Sequence, residues 1–373
     1  MTVTPKKKPQ PRQPRARARA PRPPRAGSPL LAVSLGCPAG VGPEVAVAAL
    51  AELRRRRKGA EVGPRLLFVG DPRIVAEAAQ LRQLDDAIRV CSSPADLAAI
   101  GPSDLAVYGP SPAITEPFEP GRPTKECGAR QLEWVELAAA LVEEGLADAL
   151  VTAPVSKAAI ASSGGRARRF VGHTELLAER AGLDPTAVTM AFASGELTTG
   201  LVTTHLALSA VPRAITKESV ARAARHVATF VAQLLGRPVR VAIASLNPHA
   251  GEAGLFGREE ARAIVPGIAA ARRALAKAGV PAELVGPIGA ETAFRRAVRS
   301  KDFDAVVAMY HDQATIPSKV VSFGEAVNVT LGLPYVRTSV DHGTAYDVAW
   351  TGKADPSGMV AALELATRLV SSS

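Results

Sequence analysis

Short apolar runs alternate along the chain with longer stretches in which apolar residues recur every three to four positions. The short runs are typical of buried strands, and the longer stretches are typical of helices with one buried face. The predicted strands cover residues 30–35, 65–69, 149–152, 199–203, 239–244 and 305–308. The predicted helices cover residues 43–57, 72–84, 126–144, 217–235, 258–278 and 356–369. This alternation predicts an α/β fold in which helices cover both faces of mostly parallel sheets.

Length and composition favour two α/β domains. The chain has 373 residues, of which 47% are hydrophobic and only 4% aromatic, so Ala, Val and Leu must fill the core. This length is large for one core and sufficient for two. No apolar run approaches the length of a membrane-spanning helix, so we expect no membrane association.

The net charge of +10 is concentrated in the first residues. Residues 1–26 contain nine basic residues, seven prolines and no acidic residue, so the remaining chain carries a net charge of only +1. We expect residues 1–27 to be a disordered tail, with weak RNA or anionic-surface binding and targeting as alternatives. The nearly neutral body argues against a nucleic-acid-binding surface.

The chain contains three cysteines, Cys37, Cys91 and Cys127, and no Cys-x-x-Cys pair. We therefore expect no disulfide and a cytoplasmic location.

Three histidines, His205, His249 and His311, each come just after a predicted strand, in segments that we expect to be loops. In α/β sheets ligands gather beyond the carboxyl ends of the strands, and three imidazoles with an open fourth position suit Zn²⁺ or a similar divalent ion. Hydrogen-bonded structural roles remain the alternative. His226 lies inside a predicted helix, and we interpret it as structural.

Several other polar residues are candidates for anion binding or proton transfer. Thr174 is either a helix cap or, with His173, part of an anion site at a helix N-terminus. Basic and amide side chains flank the His311 segment and suit phosphate or carboxylate, with ordinary surface roles as the alternative. They are Lys319, Asn328 and Arg337. Asp341 and His342 end another strand and either work as acid and base or belong to a structural network.

Common nucleotide and nucleophile motifs are absent from the sequence. The glycine loop at residues 36–42 is not Gly-x-Gly-x-x-Gly, and neither a phosphate-binding P-loop nor a Gly-x-Ser-x-Gly elbow occurs. A standard dinucleotide fingerprint, a nucleotide triphosphatase and a serine hydrolase are therefore disfavoured.

With these residues laid out, the chain resembles the 4-hydroxythreonine-4-phosphate dehydrogenase family of pyridoxal phosphate biosynthesis. The resemblance runs from about residue 30 to residue 369, and seven ordered motifs make it specific. These are GCPAGVGPEV, VTAPVSK, GHTELLAE, TTHLAL, LNPHAGEAGLFGREE, MYHDQATIPSK and VNVTLGLPYVRTSVDHGTAYD.

The resemblance implies a fold similar to isopropylmalate dehydrogenases, which bind NAD without the usual glycine fingerprint. Two α/β/α domains, residues 28–155 with about 345–373 and residues 156–344, would enclose the site in the cleft between them. The neighbouring subunit of a homodimer would complete that site.

The resemblance also implies a reaction and the residues that carry it. A divalent ion (Zn²⁺, Mg²⁺ or Co²⁺) is expected on His205, His249 and His311. The substrate is expected on His173, Thr174, Lys319, Asn328 and Arg337. NAD⁺ or NADP⁺ would oxidise 4-phosphooxy-L-threonine to a 3-oxo acid, which decarboxylates to 3-amino-2-oxopropyl phosphate. The general base is not assigned, and its candidates by motif position are Asp312, Lys157 and Asp341.

The chain departs from the family pattern without losing any of these metal or substrate positions. The departures are Cys37 in place of an acidic residue, Ser156, the pair Ala314-Thr315, Ala253 and Leu255. They leave open D-threonate or D-erythronate 4-phosphate as the substrate. A phosphate acyltransferase or a phosphate-binding protein is a more distant alternative, since acyl transfer needs no metal.

Overall fold

The computed structural model describes residues 27–56, 63–322 and 324–372. The predicted disordered tail, apart from Gly27, lies outside these residues. The described strands are β1 Leu30–Ser34, β2 Arg65–Val69, β3 Ile88–Cys91, β4 Leu105–Tyr108, β5 Ala149–Thr152, β6 Thr189–Ala193, β7 Thr198–Leu201, β8 Val239–Ala244, β9 Ala282–Ile288, β10 Ala305–Ala308, β11 Val327–Leu331 and β12 Val336–Val340. The described helices are α1 Gly42–Arg56, α2 Pro72–Leu81, α3 Pro94–Ala98, α4 Lys125–Glu143, α5 Lys157–Ser162, α6 His173–Arg180, α7 Val211–Ala214, α8 Lys217–Leu235, α9 Val265–Lys277, α10 Ala290–Arg295, α11 His311–Val321 and α12 Ser357–Ser371.

The described strands form one twelve-stranded sheet in the order β3-β4-β2-β1-β5-β12-β11-β6-β7-β10-β8-β9. Eight of the eleven neighbouring pairs are parallel, which confirms the predicted α/β class. The three antiparallel pairs all involve β11 or β6. The sheet therefore contains two parallel blocks that run in opposite directions, joined through β11 and β6.

Hydrogen bonding is continuous across the part of the sheet where we predict the domain boundary. Strand β12 pairs with β5 on one side and with β11 on the other. One hydrophobic cluster includes Leu31 of the first block and Val239 of the second. The predicted domain boundaries at residues 155/156 and 344/345 stay a prediction. Strand β12 connects the two halves of the sheet.

Small and branched aliphatic side chains dominate the core, as the low aromatic content predicts. Strands β1 and β5 are buried along their whole length, as expected for central strands of a parallel sheet. Trp134 is fully buried, and its indole Nε1 donates a hydrogen bond to the carbonyl of Pro112 at 3.0 Å. The large ring is accepted in this core because its one polar atom has a partner.

All six predicted strands and all six predicted helices are present, with ends that differ by a few residues. The predicted helix 258–278 begins with a wide π-type turn at Glu260–Ile264 before α9. Pro266 lacks the backbone N–H that an α-helix would use at this point, which accounts for the irregular turn.

One predicted loop is a helix instead. The segment after β10 begins α11 at His311, although Pro317 lies inside it. Ala314 and Ser318 are buried, and the Ser318 hydroxyl lies 3.1 Å from that of Thr199 on β7. Packing of this small-residue face against the sheet outweighs the unfavourable proline.

The described residues contain no helix that is both long and apolar enough to span a bilayer.

His226 is structural, as predicted, and buried on α8. Its Nδ1 lies 3.0 Å from the Thr189 hydroxyl, and its Nε2 lies 3.1 Å from a guanidinium nitrogen of Arg225. Because the guanidinium can only donate, Nε2 accepts and Nδ1 carries the proton. Burial, assisted by the charges of Arg225 and Arg222, lowers the pKa of His226 from 6.5 to about 3.

This burial predicts a loss of stability in mild acid. The folded state favours the neutral ring, so the contribution of His226 is complete above pH 6.5 and is lost as the pH falls toward 3. The His226→Gln variant should show a smaller decrease in the free energy of unfolding between pH 7 and pH 4 than the wild type, measured by urea denaturation. Equal decreases in the two proteins would contradict this role.

Candidate functional site

The three strands that precede the candidate metal histidines are neighbours in the sheet. Strands β7, β10 and β8 are adjacent and parallel, so their carboxyl ends meet at one edge. His205, His311 and His249 follow these three ends in that spatial order. The expectation that the fold delivers the three histidines to one edge is therefore consistent with the strand order.

Polar side chains tie these strand ends together. The Thr203 hydroxyl after β7 donates to the carbonyl of Met309 after β10 at 2.7 Å. The Gln313 side-chain amide donates to the carbonyl of Ser245 after β8 at 2.9 Å, and its oxygen accepts from the Met309 N–H at 2.7 Å. These bonds fix the ends of β7, β10 and β8 relative to one another.

His205 and His311 lie side by side. Their ring centroids are 5.4 Å apart, with the planes tilted by 43°. Burial lowers the pKa of His205, and Lys157 and His311 lower it further, which favours the neutral ring that a metal requires. The Nδ1 of His311 lies 2.7 Å from a carboxylate oxygen of Asp312. When Nδ1 donates to this oxygen, the lone pair of Nε2 is available to a cation.

His249 does not join this pair. It lies in the turn Pro248–Gly254, where its ring centroid is 6.1 Å from that of Phe256. Within the described residues, no group of three His, Cys, Asp or Glu side chains is close enough to hold a metal ion. The structure thus brings two of the three predicted ligands together. Two imidazoles, one backed by a carboxylate, fit part of a site for a borderline ion such as Zn²⁺.

Arg337 on β12 is only 2% exposed. One terminal nitrogen donates to the hydroxyl of Thr330 at 3.0 Å and lies 3.4 Å from the Asn328 side-chain oxygen; the other donates to the hydroxyl of Thr152 at 2.6 Å. Its Nε has no partner among the described residues.

The charge of Arg337 is not neutralised by an ion pair. No described carboxylate lies within 4 Å of its guanidinium, and burial lowers its pKa to about 10. Glu175 raises the pKa of Arg337 only from a distance, and a buried cation with no carboxylate in contact is costly unless an anion binds beside it.

The first turn of α6 lies beside this guanidinium. Gly172 is the N-cap of the helix and makes no side-chain cap, so the capping role considered for Thr174 is wrong. The Thr174 hydroxyl is instead buried 3.5 Å from that of Thr330, which accepts from Arg337. A helix start without a side-chain cap next to a guanidinium favours an anion.

His173 supplies a further unpartnered atom. Its Nε2 is buried and has no hydrogen-bond partner among the described residues. Burial lowers the pKa of His173 well below its ordinary value, and Arg337 and Lys157 add to this effect. The neutral ring can donate a hydrogen bond to an anion without requiring a proton from solvent.

The remaining candidates differ in exposure. Lys319 on α11 is half-exposed, and its Nζ lies 4.0 Å from a carboxylate oxygen of Asp341. Burial raises the pKa of Asp341, although Lys319 opposes this. His342 is exposed, and its Nδ1 lies 2.9 Å from the carbonyl of Gly343. Lys157 is the first residue of α5 and exposed.

Sequence reasoning missed Thr152 and Thr330, which hold Arg337 in place. Thr330 was detectable in principle, because it lies two residues after Asn328 on β11 and so shares its face of the strand. Thr152 is the last residue of β5, and only the β5–β12 pairing brings it to Arg337.

Comparison with known proteins gives a consistent result. Residues 63–366 match the family model described as pyridoxal phosphate biosynthetic protein PdxA. A 4-hydroxythreonine-4-phosphate dehydrogenase of Desulfosudis oleivorans is 40% identical over 339 residues, which cover 91% of this chain and 95% of that protein. A D-threonate 4-phosphate dehydrogenase of Bordetella bronchiseptica is 40% identical over 346 residues, covering 91% and 92%. The crystal structure of a 4-hydroxythreonine-4-phosphate dehydrogenase from Klebsiella pneumoniae superposes with a TM-score of 0.74 at 35% identity, covering 92% of this chain and 100% of that one.

The buried guanidinium predicts anion-dependent stability. Inorganic phosphate should raise the melting temperature of the wild type, because it binds beside Arg337 only in the folded state. Arg337→Met should weaken phosphate binding by tenfold or more, which is about 1.4 kcal/mol. Titration calorimetry and thermal unfolding with phosphate would measure this.

Arg273→Met is the matched control, because Arg273 is exposed on α9. It should bind phosphate as the wild type does. Equal phosphate affinity in the Arg337 and Arg273 variants would contradict an anion site at Arg337.

Proposed function

The chain belongs to the pyridoxal phosphate biosynthetic protein PdxA family, and we propose that it oxidises 4-phosphooxy-L-threonine with NAD⁺ or NADP⁺. The observation that carries this proposal is the buried, unpaired guanidinium of Arg337 beside the unpartnered Nε2 of His173. A small phosphorylated hydroxy acid supplies the negative charge that this pocket lacks.

The anionic ends of the substrate would be held from several elements. His173 and Thr174 come from α6, Asn328 and Arg337 from β11 and β12, and Lys319 from α11. Fixing both the phosphate and the carboxylate aligns the reacting carbon with the nicotinamide, which lowers the entropic part of the barrier.

In the proposed reaction the C3 carbon gives a hydride to the nicotinamide while its hydroxyl loses a proton to a base. The 3-oxo acid then loses CO₂, takes up a proton at C2 and forms 3-amino-2-oxopropyl phosphate. Asp312, Lys157 and Asp341 are the candidates for the base. Asp341 is favoured by its partly buried carboxyl, whose pKa burial raises, and by the Lys319 Nζ 4.0 Å away.

A divalent ion (Zn²⁺, Mg²⁺ or Co²⁺) is part of the proposal. His205, His311 and His249 would hold it. When bound, the ion would polarise the substrate hydroxyl and stabilise negative charge on that oxygen. Asp312 would orient the His311 ring through the 2.7 Å bond to Nδ1.

We place the site in a cleft between two domains, residues 28–155 with about 345–373 and residues 156–344. In support, Arg337 is held by Thr152 from the first of these and by Thr330 from the second. A cytoplasmic location also belongs to the proposal, supported by the three free cysteines.

We also propose a homodimer that completes the site. Large apolar side chains are exposed on the segments that follow β7, β8 and β10, which is unusual for a surface that stays in water. They are Leu206 and Leu208 after β7, Leu255 and Phe256 after β8, and Ile316 and Val320 on α11.

The alternative substrate is D-threonate 4-phosphate, because the Bordetella relative with that name is as similar to this chain as the Desulfosudis relative. D-erythronate 4-phosphate is chemically close. Acyl transfer is disfavoured because it has no need of paired histidines at the strand ends.

Direct assay separates these reactions. NADH or NADPH formation should be fastest, by kcat/KM, with 4-phosphooxy-L-threonine when the three phosphorylated acids are compared. A chelator should abolish turnover, and added Zn²⁺, Mg²⁺ or Co²⁺ should restore it. A higher kcat/KM with D-threonate 4-phosphate would identify that acid as the substrate instead. Turnover that persists in the presence of a chelator would contradict the metal requirement.

The dimer is tested by a charge placed on the apolar surface. Val320 is 80% exposed on α11, so Val320→Lys costs little in the monomer but should convert a wild-type dimer into monomers in sedimentation velocity. Leu235→Lys is the control, since Leu235 is 40% exposed at the end of α8, next to the amino end of β8. A Val320→Lys protein that remains dimeric would contradict this interface.

A further inference from the structure

We propose that Glu260 is a positioning residue for His249, and that it acts on the divalent ion only through that histidine. This inference rests on the proposed function, because it takes His249 to be a metal ligand. Glu260 lies eleven positions after His249, and its carboxylate holds the chain segment from which the His249 turn begins.

The contacts of Glu260 are unusually complete for an acidic side chain. The residue is only 6% exposed. One carboxylate oxygen accepts from the backbone N–H of Leu246 at 2.9 Å and from that of Asn247 at 2.8 Å. The other accepts from the Asn247 side-chain amide at 2.9 Å. A carboxylate is buried here because three donors of one loop surround it.

The turn that carries His249 needs such an anchor. Five consecutive residues, from His249 to Ala253, have φ between 42° and 82°, and only Gly251 among them is a glycine. Non-glycine residues avoid this region and remain there only when the surrounding structure enforces it. A Cβ atom on Gly251 would lie 2.8 Å from Glu260 Oε2, so the carboxylate lies close to the middle of the turn.

The same loop is tied to the other candidate ligands. The Ser245 hydroxyl donates to the carbonyl of Asn247 at 2.9 Å, and the Ser245 carbonyl accepts from Gln313 of α11. Glu260 therefore holds the His249 loop on one side, while Ser245 and Gln313 connect it to the helix that begins with His311.

The backbone at Glu260 is itself irregular. The residue begins the π-type turn Glu260–Ile264. Such turns occur in short pieces and are frequent at functional sites. The wider turn sets the direction in which the carboxylate leaves the helix, which a continuous α-helix through residue 260 would alter.

The test is a metal-affinity cycle on the full-length protein. Metal-free wild type, Glu260→Gln, Glu260→Ala, His249→Ala and the double variant Glu260→Gln/His249→Ala would be titrated with Zn²⁺ in competition with a chromophoric chelator. Thermal unfolding of each metal-free protein reports whether it folds. The matched control is Glu259→Gln, because Glu259 contacts only the Asn247 side chain of this loop, at 2.9 Å.

His249→Ala should weaken Zn²⁺ binding at least tenfold. Glu260→Gln should weaken it threefold to tenfold, because an amide oxygen can still accept from both backbone N–H groups while the amide nitrogen opposes that of Asn247. Glu260→Ala should approach the loss seen in His249→Ala, and Glu259→Gln should remain within twofold of wild type. Since Glu260 acts through His249, the double variant should bind no more weakly than His249→Ala alone.

Two results would overturn the inference while leaving the metal assignment intact. The first is a Glu260→Gln variant that binds Zn²⁺ with wild-type affinity while His249→Ala binds it more weakly. The second is a double variant whose loss of Zn²⁺ affinity equals the sum of the two single losses. Unchanged affinity in His249→Ala contradicts the proposed metal site itself, and the inference falls with it. If Glu260→Ala does not fold, the Glu260→Gln cycle decides alone.

Discussion

Arg337 lies on β12, the last strand of the first parallel block of the sheet, and no described carboxylate lies within 4 Å of its guanidinium. Burying a cation in this way lowers the stability of the empty protein, which neutral hydroxyls from the two neighbouring strands only partly offset. The groups around Arg337 therefore surround a positive charge that no described carboxylate contacts. Strands β5 and β11 and the start of α6 all contribute groups that face this one side chain.

The histidine-bearing edge is organised differently. There the strand ends are cross-linked by neutral polar side chains, Thr203 and Gln313, and by the buried carboxylate of Glu260. The two neutral side chains fix backbone positions without adding charge, whereas Glu260 brings a carboxyl group to the edge. In the proposed function, the groups around Arg337 would neutralise a substrate and the histidine edge would hold a cation, and these two places lie on opposite-running blocks of one sheet.

The same separation bears on substrate choice. Thr152, Thr330 and Arg337 would recognise an anionic group that all the candidate phosphorylated acids share. In the proposal, discrimination among those acids would come from groups nearer the reacting carbon, such as the candidate base Asp341. This is why family membership narrows the substrate to a class and leaves the individual acid to direct assay.

Much of the architecture was accessible from the chain itself. The period of apolar residues is a local property, so the strands from 30–35 to 305–308 and the helices from 43–57 to 356–369 could be predicted. His205, His249 and His311 each follow a predicted strand, so they were expected at the carboxyl ends of the sheet, where ligands gather. The sequence also pointed to His173 and Arg337 as anion contacts, a role that their unpartnered nitrogens support.

Tertiary structure decided which of these groups meet. The reversal of strand direction at β11 and β6, the pairing that brings Thr152 to Arg337, and the helix at His311 all depend on hydrogen bonds or packing between distant segments. Thr174 faces Thr330 instead of capping its helix for the same reason. His249 stands apart from the other two histidines, in a turn of left-handed residues that follows the Asn247 backbone bound by Glu260. Local pattern determines which elements form, whereas contacts between distant elements determine where their polar side chains come together.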